Sequence, residues 1–328
     1  MTKRLAEVAK KAGVSEATVS RVLNGRSGVS EATRASVLTA LDVLGYERPT
    51  KLRGERGRLV GLVLPELQNP IFPALAEVVT ASLAQRGFTP LLAARTIGGV
   101  PERDYIEMLL DHQVSGVVFA GGSYALAEAE HGHYRALTDR RMPVVMVNAG
   151  VADLGFPHIS TDDAVAVEQA YGHLRSLGHE RIGMVMGPED HVPSRRKLAG
   201  LEGKEFFVER TNFSMESARL AAAKLIDRGV TGMICASDVL ALGSIRAARR
   251  LGLDVPSDVS VVGFDDSALM TCTDPPLTTV RQPIEMMGQA AVDLLVNQIE
   301  GSGVEPDELL FEPELVVRGS TAPAKKAG

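Results

Sequence analysis

Short apolar runs rich in β-branched residues alternate with longer helical stretches through the chain after residue 58. Strands separated by helices pair in parallel, because each helix returns the chain to the starting edge of its sheet. The pattern predicts an α/β region of about 260 residues built from two such sheets, which bind ligands at the carboxyl ends of their strands. The strand-like runs are 59–64, 116–120, 144–148, 182–186, 232–236 and 259–264, and the helical stretches include 74–86, 164–177, 215–228 and 240–251.

The first 45 residues show a different pattern, with helical spacing only. Apolar residues at helical spacing begin at Leu5, and Gly13 ends this first helix. Ser15 is placed to cap a second helix, and Ser30 a third. Two short helices joined by a tight turn form a helix-turn-helix, in which the second helix enters the major groove of DNA.

Charge separates the same two regions. Residues 1–58 contain 12 Lys and Arg against 6 Asp and Glu, whereas the remaining chain contains 23 against 35. A basic segment on an acidic body favours a nucleic-acid-binding module, with a merely solvated basic face as the alternative.

Several classes of protein are disfavoured. The chain has no apolar run near the roughly 18 residues needed to cross a membrane, and its start lacks the apolar region of a secretory signal. The two cysteines, Cys235 and Cys272, fit no zinc or redox spacing and suit a reducing cytoplasm. No nucleophile elbow or phosphate-binding loop is present, and 131–133 is better interpreted as a solvated loop than as a metal site. We therefore expect no enzyme activity, no cofactor and no metal.

Residues 7–25 closely resemble the headpiece of the lactose-repressor (LacI) family of bacterial regulators. The resemblance implies that Glu16, Ala17 and Arg21 read bases, and arginine can hold guanine O6 and N7 with two hydrogen bonds. It also implies contacts to DNA phosphates from a set of short polar side chains, which are Ser15, Thr18, Ser20 and Asn24. One position departs from the family, because Arg4 stands where the first helix usually has a Thr or Ser cap.

The linker at 47–58 has two interpretations. In the family this segment forms a hinge helix on operator binding, and a leucine from each subunit inserts into the minor groove. Leu52 is the apolar candidate for that role. The linker is short, and Gly54 and Gly57 weaken a helix, so a flexible basic tether is the alternative.

The resemblance continues through the body at 65–72, 176–183, 236–238, 258–266 and 275–282. It implies a periplasmic-binding-protein-like fold of two lobes joined by three crossing strands, with an effector between them. The implied domains are a helix-turn-helix at 1–46, the linker, an effector-binding and dimerisation domain at 59–320 and a disordered tail at 321–328. Within the effector domain, the N-lobe covers about 59–159 and 283–309, and the C-lobe covers about 160–280 and 310–320. The implied effector contacts are Asn69, Phe72, Gly121, Asn148, Ser194, Arg196, Asp238, Asp265 and Gln282.

Three of these assignments carry alternatives. Asp238 and Asp265 are also placed to cap the helices that follow them. The register of Arg196 is ambiguous with its neighbours Arg195 and Lys197. After Gly200 the next strand arrives about a dozen residues earlier than is usual in the family, which implies a truncated helix or a changed wall of the effector cleft.

Together these features predict a cytoplasmic transcriptional regulator, most consistent with a repressor of sugar-utilisation genes. Its expected partners are a palindromic DNA operator, a sugar effector and a second copy of itself in a homodimer, without a membrane. The resemblance is closest to actinobacterial regulators of maltose-type sugar use. The alternatives are a solute-binding protein without a transcriptional role and a sugar-processing enzyme.

Overall fold

The computed structural model describes residues 2–23, 28–44, 58–95 and 98–325. The chain divides into two compact units, Met1–Arg58 and Leu59–Gly328. No helix in the described ranges is long and apolar enough to span a bilayer.

The first unit contains three helices, α1 (Thr2–Ala12), α2 (Glu16–Leu23) and α3 (Glu31–Val43). Gly13 has φ of +68°, a left-handed conformation that ends α1, and the Val14 amide donates to the Ala9 carbonyl at 3.1 Å. The Ser15 hydroxyl accepts from the Thr18 amide at 3.2 Å and so caps α2. The buried core of this unit consists of Val8, Ala9, Val19, Val22, Val37, Ala40 and Leu41.

The second unit is built from strands and helices in alternation. The strands are β1 (Arg58–Leu64), β2 (Phe88–Ala94), β3 (Gly116–Phe119), β4 (Val144–Val147), β5 (His158–Thr161), β6 (Ile182–Met186), β7 (Phe207–Arg210), β8 (Gly232–Cys235), β9 (Ser260–Asp265), β10 (Thr278–Arg281), β11 (Glu308–Phe311) and β12 (Glu314–Val316). The helices are α4 (Ile71–Gln85), α5 (Glu102–Asp111), α6 (Arg135–Asp139), α7 (Asp163–Ser176), α8 (Val192–Ala199), α9 (Met215–Asp227), α10 (Asp238–Arg250) and α11 (Ile284–Ile299).

Two six-stranded sheets define the two lobes. The N-lobe sheet has the order β11-β5-β4-β3-β1-β2, and the C-lobe sheet has the order β12-β10-β9-β8-β6-β7. The central pairings are parallel, and β12 pairs antiparallel with β10. The central strands are buried on both faces, as expected for parallel strands covered by helices.

The chain passes between the sheets three times, from β5 to α7, from β10 to α11 and from β11 to β12. These passages bring the carboxyl ends of strands from both sheets together. The predicted two-lobed α/β fold is therefore confirmed.

The tail is ordered further than predicted. The Ala322 amide donates to the Ser260 hydroxyl at 3.0 Å, and the Ala324 amide donates to the Leu177 carbonyl at 2.8 Å. Lys325 pairs with Asp258. The prediction of disorder is wrong for 321–325, because these backbone groups find partners on the C-lobe, and 326–328 lie outside the described residues.

Helix α8 has eight residues, and β7 begins at Phe207 after a short turn. This short helix corresponds to the truncation predicted after Gly200. Asn212 and Phe213, which follow β7, line the space between the lobes.

Candidate functional site

A cavity of about 290 Å³ lies between the N-lobe and the C-lobe, at the carboxyl ends of their strands. We call it the interlobe cavity. The N-lobe contributes the loops after β1, β3 and β4, and the C-lobe contributes the loops after β6, β8 and β9. Its polar or ionisable lining side chains are Glu66, Asn69, Asn148, Asp163, His191, Ser194, Lys197, Asn212, Ser237, Asp265 and Gln282.

Asp265, at the end of β9, joins the two lobes. Its carboxyl oxygens accept from the Asn69 amide at 3.1 Å and from the Gln282 amide at 2.7 Å. Gln282 is itself oriented by the Thr161 hydroxyl, which donates to its side-chain carbonyl at 2.8 Å. These groups come from separate segments of the chain and meet because three connections pass between the lobes.

The Asp265 carboxyl is 4% exposed. Burial, together with the nearby carboxyl of Asp238, raises its pKa to about 8. Its φ of +127° is rarely adopted by a residue with a β-carbon. Asp265 begins no helix, so the capping alternative does not describe it.

Asp238 lies next to this site and does not line the cavity. Its carboxylate accepts from the Ser267 amide at 2.9 Å, from the Ser267 hydroxyl at 3.0 Å and from the Thr279 hydroxyl at 2.6 Å. The cap of α10 is Ser237, whose hydroxyl accepts from the Leu240 amide at 3.2 Å. Asp238 therefore holds the loop that follows Asp265, and an effector in the cavity would meet Asp265 rather than Asp238.

Helix α8 places adjacent residues in different environments. Ser194 and Lys197 line the cavity, whereas the Arg196 guanidinium donates to both oxygens of Glu308 on β11, at 2.5 and 3.2 Å. Arg196 also donates to the Ser160 hydroxyl at 3.4 Å. Arg196 thus connects the C-lobe to the N-lobe, and the structure does not place it among the effector contacts that we predicted. The register ambiguity is resolved towards Lys197.

Lys197 is buried and forms an ion pair with Asp163, the first residue of α7. Its ammonium also lies 3.7 Å from the ring centroid of Phe264, a cation–π distance. Both charged groups are nearly inaccessible, with side-chain exposures of 5% and 6%. Because each neutralises the other, the pair adds no net charge to the cavity.

His191 caps α8 and faces the same space. Its Nδ1 accepts from the Ser194 amide at 3.3 Å. Burial and the charge of Lys197 lower the pKa of His191 to about 3. The ring is therefore neutral at physiological pH, and its Nε2 carries the proton.

The N-lobe wall contains the remaining predicted contacts. Phe72 lies in the first turn of α4, and Asn148 follows β4 with φ of +69°. Gly121 has φ of +148°, and a β-carbon there would lie 2.7 Å from Pro65 Cγ. Glycine is therefore required at this part of the wall.

Several lining residues were not among the predicted contacts. The polar and aromatic residues among them are Glu66, Asp163, His191, Lys197, Asn212, Phe213, Ser237 and Phe264. Lys197 was already within the register ambiguity, and Glu66, Ser237 and Phe264 lie in segments that carry the family resemblance. The remaining residues occupy loop positions or helix ends with no chemical motif of their own, so the fold alone brings them to the cavity.

On α2, three residues share the exposed face, namely Glu16, Ala17 and Arg21, whereas Val19 and Val22 are buried. Ser15 is exposed, and Thr18 and Ser20 are half-buried beside this face. Asn24 and Leu52, the other predicted DNA contacts, lie outside the described residues, as does most of the linker.

The sequence 131–133 lies on the N-lobe. His131 Nε2 contacts the carbonyls of Ser123 and Leu126 at 3.1 Å, and His133 lies 3.7 Å from Glu102. Within the described ranges, no group of three or more His, Cys, Asp or Glu side chains is arranged to hold a metal ion.

Comparison with known proteins agrees with both units of the chain. Residues 4–49 match the bacterial regulatory proteins of the lacI family, and residues 171–321 match the periplasmic binding protein-like domain. The chain is 51% identical to the transcriptional regulator MalR of Streptomyces coelicolor over 99% of this chain and 98% of the relative.

Two solved structures show the same fold over nearly the whole chain. One is the transcriptional regulator CelR–cellobiose complex, with 33% identity, a TM-score of 0.70 and coverage of 96% of this chain and 99% of that one. The other is the lac repressor dimer bound to operator and the anti-inducer ONPF, with 29% identity, a TM-score of 0.71 and coverage of 96% and 98%.

The fold and cavity are those of a two-lobed sensor in a chain that also carries a helix-turn-helix. The protein belongs to the lacI family of bacterial transcriptional regulators. The prediction of a DNA-binding regulator that is not an enzyme is confirmed by its relatives. The alternative of a solute-binding protein without a transcriptional role is not supported.

Proposed function

We propose that this protein is a repressor of sugar-utilisation genes, and that a sugar held in the interlobe cavity sets its affinity for operator DNA. The observation that carries the proposal is the carboxyl group of Asp265, which joins Asn69 of the N-lobe to Gln282 at a crossing between the lobes. A polyol bound there would exchange hydrogen bonds with groups of both lobes. Its binding would therefore depend on how the lobes are arranged.

The chemistry of the lining suits a sugar. Carboxylate, amide and hydroxyl groups give directed hydrogen bonds to ligand hydroxyls, and aromatic rings cover the apolar faces of sugar rings. Phe72 of the N-lobe and Phe213 of the C-lobe supply such rings. The proposed contacts are Asn69, Phe72, Gly121, Asn148, Ser194, Asp265 and Gln282, together with His191 and Lys197.

The sugar is of the maltose type, a neutral disaccharide or a related oligosaccharide. The cellobiose in the CelR complex supports a disaccharide-sized effector for a chain of this fold.

The DNA-binding form is a cytoplasmic homodimer on a palindromic operator. The lac repressor dimer bound to operator supports this assembly. In each headpiece, Glu16, Ala17 and Arg21 of α2 read base edges in the major groove. Residues beside them contact phosphates, and the proposed set is Ser15, Thr18, Ser20 and Asn24, with Leu52 in the minor groove.

Effector and operator are linked through their different affinities for two states of the protein. An effector shifts operator affinity only by the ratio of its affinities for the DNA-competent and DNA-incompetent states. Such coupling is typically about 1–3 kcal/mol, or about 5–150-fold.

The test measures operator binding with and without sugar. The full-length protein is titrated onto labelled palindromic DNA from upstream of its own gene, with a scrambled duplex as control. We expect salt-sensitive, sequence-specific binding that maltose or a related sugar weakens by about 5–150-fold. Weak binding that is independent of sequence under every sugar condition would refute the proposal.

A further inference from the structure

The charges around the interlobe cavity are unevenly distributed. Five described lining residues are ionisable, namely Glu66, Asp163, His191, Lys197 and Asp265. Three of them are acids, and Lys197 is the one lysine or arginine in this set. An anionic ligand would therefore depend on Lys197 for a charged partner.

Lys197 already makes two contacts within the protein. Its ammonium is paired with Asp163, and it packs 3.7 Å from the centroid of the Phe264 ring. Drawing the ammonium towards a ligand would leave the 6%-exposed carboxylate of Asp163 without its partner. An unpaired buried charge is strongly unfavourable, so the Lys197 ammonium stays paired with Asp163 rather than with a ligand.

His191 supplies no positive charge either. Its Nδ1 is an acceptor in the cap of α8, where it receives the Ser194 amide at 3.3 Å. Burial lowers the pKa of the ring to about 3, so the imidazole is neutral. It offers a neutral N–H donor, which suits a hydroxyl oxygen.

Helix N-termini are the usual alternative anion sites, and five described helices, α4, α7, α8, α10 and α11, begin at the cavity. Side chains of Asp162, His191 and Ser237 cap α7, α8 and α10. Helices α4 and α11 have no side-chain cap at their N-cap residues, but their first amides are already bonded. The Ile71 amide donates to the Asn69 side chain at 3.3 Å, and the Ile284 amide donates to the Gln282 carbonyl at 2.8 Å. An amide that is already bonded is not free to bind a phosphate.

From this arrangement we infer that the cavity selects uncharged, polyhydroxylated ligands and rejects their phosphorylated or carboxylated counterparts. The inference rests on the proposed sugar-binding function and deepens it. The reason is that the lining acids and neutral donors match hydroxyl groups, whereas its one ammonium is neutralised by Asp163.

The test compares matched ligands that differ in charge. Calorimetry and thermal shifts of the full-length protein are measured with maltose against maltose 6′-phosphate and with cellobiose against cellobionate. We expect the neutral member of a pair to bind at least about tenfold more tightly, because the charged group lacks a partner in the cavity. Equal or tighter binding of a charged member overturns the inference.

A pair of variants tests the assigned cause. Asp163→Asn frees the Lys197 ammonium, and we expect this variant to gain affinity for maltose 6′-phosphate by about tenfold or more. The double variant Asp163→Asn/Lys197→Met removes that ammonium and should lose the gain. A folded Asp163→Asn protein without any gain contradicts the role of the ion pair.

The double variant Asp163→Asn/Lys197→Met also covers the case in which Asp163→Asn does not fold, because it leaves no buried charge without a partner. If the ion pair lends no cation to a ligand, the double variant should keep the preference of the unmodified protein for the neutral ligand. A clear increase in that preference would show that Lys197 serves anionic ligands in the unmodified protein and would overturn the inference.

These outcomes separate the inference from the proposed function. A charged sugar that binds and releases operator DNA would overturn the selection of neutral ligands and leave the sugar-responsive repressor intact. A neutral sugar that binds without changing operator affinity would refute the repressor and leave the charge selection intact.

Discussion

At the scale of single residues, Asp265 combines a buried carboxyl, two amide donors and a backbone conformation that is rare for any residue with a β-carbon. Such strain costs on the order of 1–3 kcal/mol and persists when the surrounding contacts fix the residue. Here Asn69 and Gln282 supply those contacts. The same groups that restrain Asp265 also join the two lobes.

The raised pKa of Asp265 predicts a dependence of stability on pH. The ordinary value is 3.8 and the folded value is about 8. Between these values the folded protein holds a proton that the unfolded chain has released, so stability decreases as pH rises and levels off above the folded pKa. Burial raises the pKa of Asp238 to about 6. Protonation of Asp238 therefore also makes stability decrease as pH rises, up to about pH 6.

Replacement of Asp265 by Asn removes its part of this dependence. We expect Asp265→Asn to flatten the fall in melting temperature above about pH 6, where Asp238 no longer contributes. Melting curves from pH 5 to 9 measure this, with Asp274→Asn at a fully exposed position as the control. Parallel curves for Asp265→Asn and the unmodified protein would contradict the raised pKa. The variant should also blunt the sugar response while retaining operator affinity.

Arg21 is the residue on the exposed face of α2 that can hold a guanine through two hydrogen bonds. We expect Arg21→Ala to relax base preference at one position of each half-site and to cost about 1–3 kcal/mol of discrimination. Binding selection from randomised operators measures this preference. Lys10→Ala on α1 also removes one exposed positive charge and is the matched control. Lys10→Ala should weaken binding to all operator sequences to a similar extent. An unchanged base preference in Arg21→Ala would contradict the base-reading role of Arg21.

At the scale of elements, α8 and β11 form a connection between the lobes that we call the interlobe clasp, consisting of Arg196 and Glu308. A second connection joins the segment after β3 to the loop after β6, where the Ala127 amide donates to the Asp190 carbonyl at 2.8 Å. Both lie outside the cavity lining. Both favour the arrangement in which groups of the two lobes line the cavity together.

Weakening the clasp should lower effector affinity without removing a ligand contact. The side chains are 33% and 25% exposed, and pairs that remain in contact with solvent contribute modestly. We expect Glu308→Gln to reduce sugar affinity about threefold to tenfold, a change of about 0.7–1.4 kcal/mol. Calorimetry measures it, and Glu216→Gln, which breaks an exposed pair within α9, is the control.

A double-mutant cycle distinguishes the clasp from direct ligand binding by Arg196. If the two residues act only through each other, Arg196→Met, Glu308→Gln and the double variant should show similar losses. If Arg196→Met alone loses much more sugar affinity than Glu308→Gln, and the two losses add in the double variant, Arg196 contacts the effector directly.

Sequence patterns predicted six buried strands (β1, β3, β4, β6, β8 and β9) and four long helices (α4, α7, α9 and α10) within a few residues, because their apolar periods are strong. They missed β5, β10, β11 and β12, since these strands beside the lobe crossings mix polar with apolar residues, and β11 is largely accessible. They also did not name α11, which follows one of those crossings. They also missed β2, which contains a proline and lies at a sheet edge.

The same limits apply to the cavity. Loops after buried strands were predictable, because ligands of such folds bind there. The choice between Arg196 and Lys197 was not predictable, because moving by one residue along a helix rotates the side chain by about 100° around the helix axis. Which of them faces the cavity depends on how α8 packs against α7, a contact between elements that local sequence does not reveal.

At the scale of the whole molecule, a basic DNA-reading segment and an acidic sensor belong to one chain. Equilibrium linkage then imposes a quantitative relation between its two ligands. If a sugar weakens operator binding by some factor, the operator must weaken sugar binding by the same factor. The relation holds for any structural route between the sites, so it tests the coupling itself.

We therefore expect the dissociation constant for the sugar to rise by about 5–150-fold when the protein is saturated with operator. This factor should equal the factor by which saturating sugar raises the dissociation constant for the operator. Calorimetric titration of sugar into the protein alone, into its operator complex and into a mixture with scrambled duplex of equal length measures all three values. The scrambled duplex should leave sugar affinity unchanged at moderate salt, because nonspecific contacts are weak there. Equal sugar affinity in the free protein and the operator complex would mean that the effector has no preference between the two states. In that case, the cavity would bind sugar without controlling transcription.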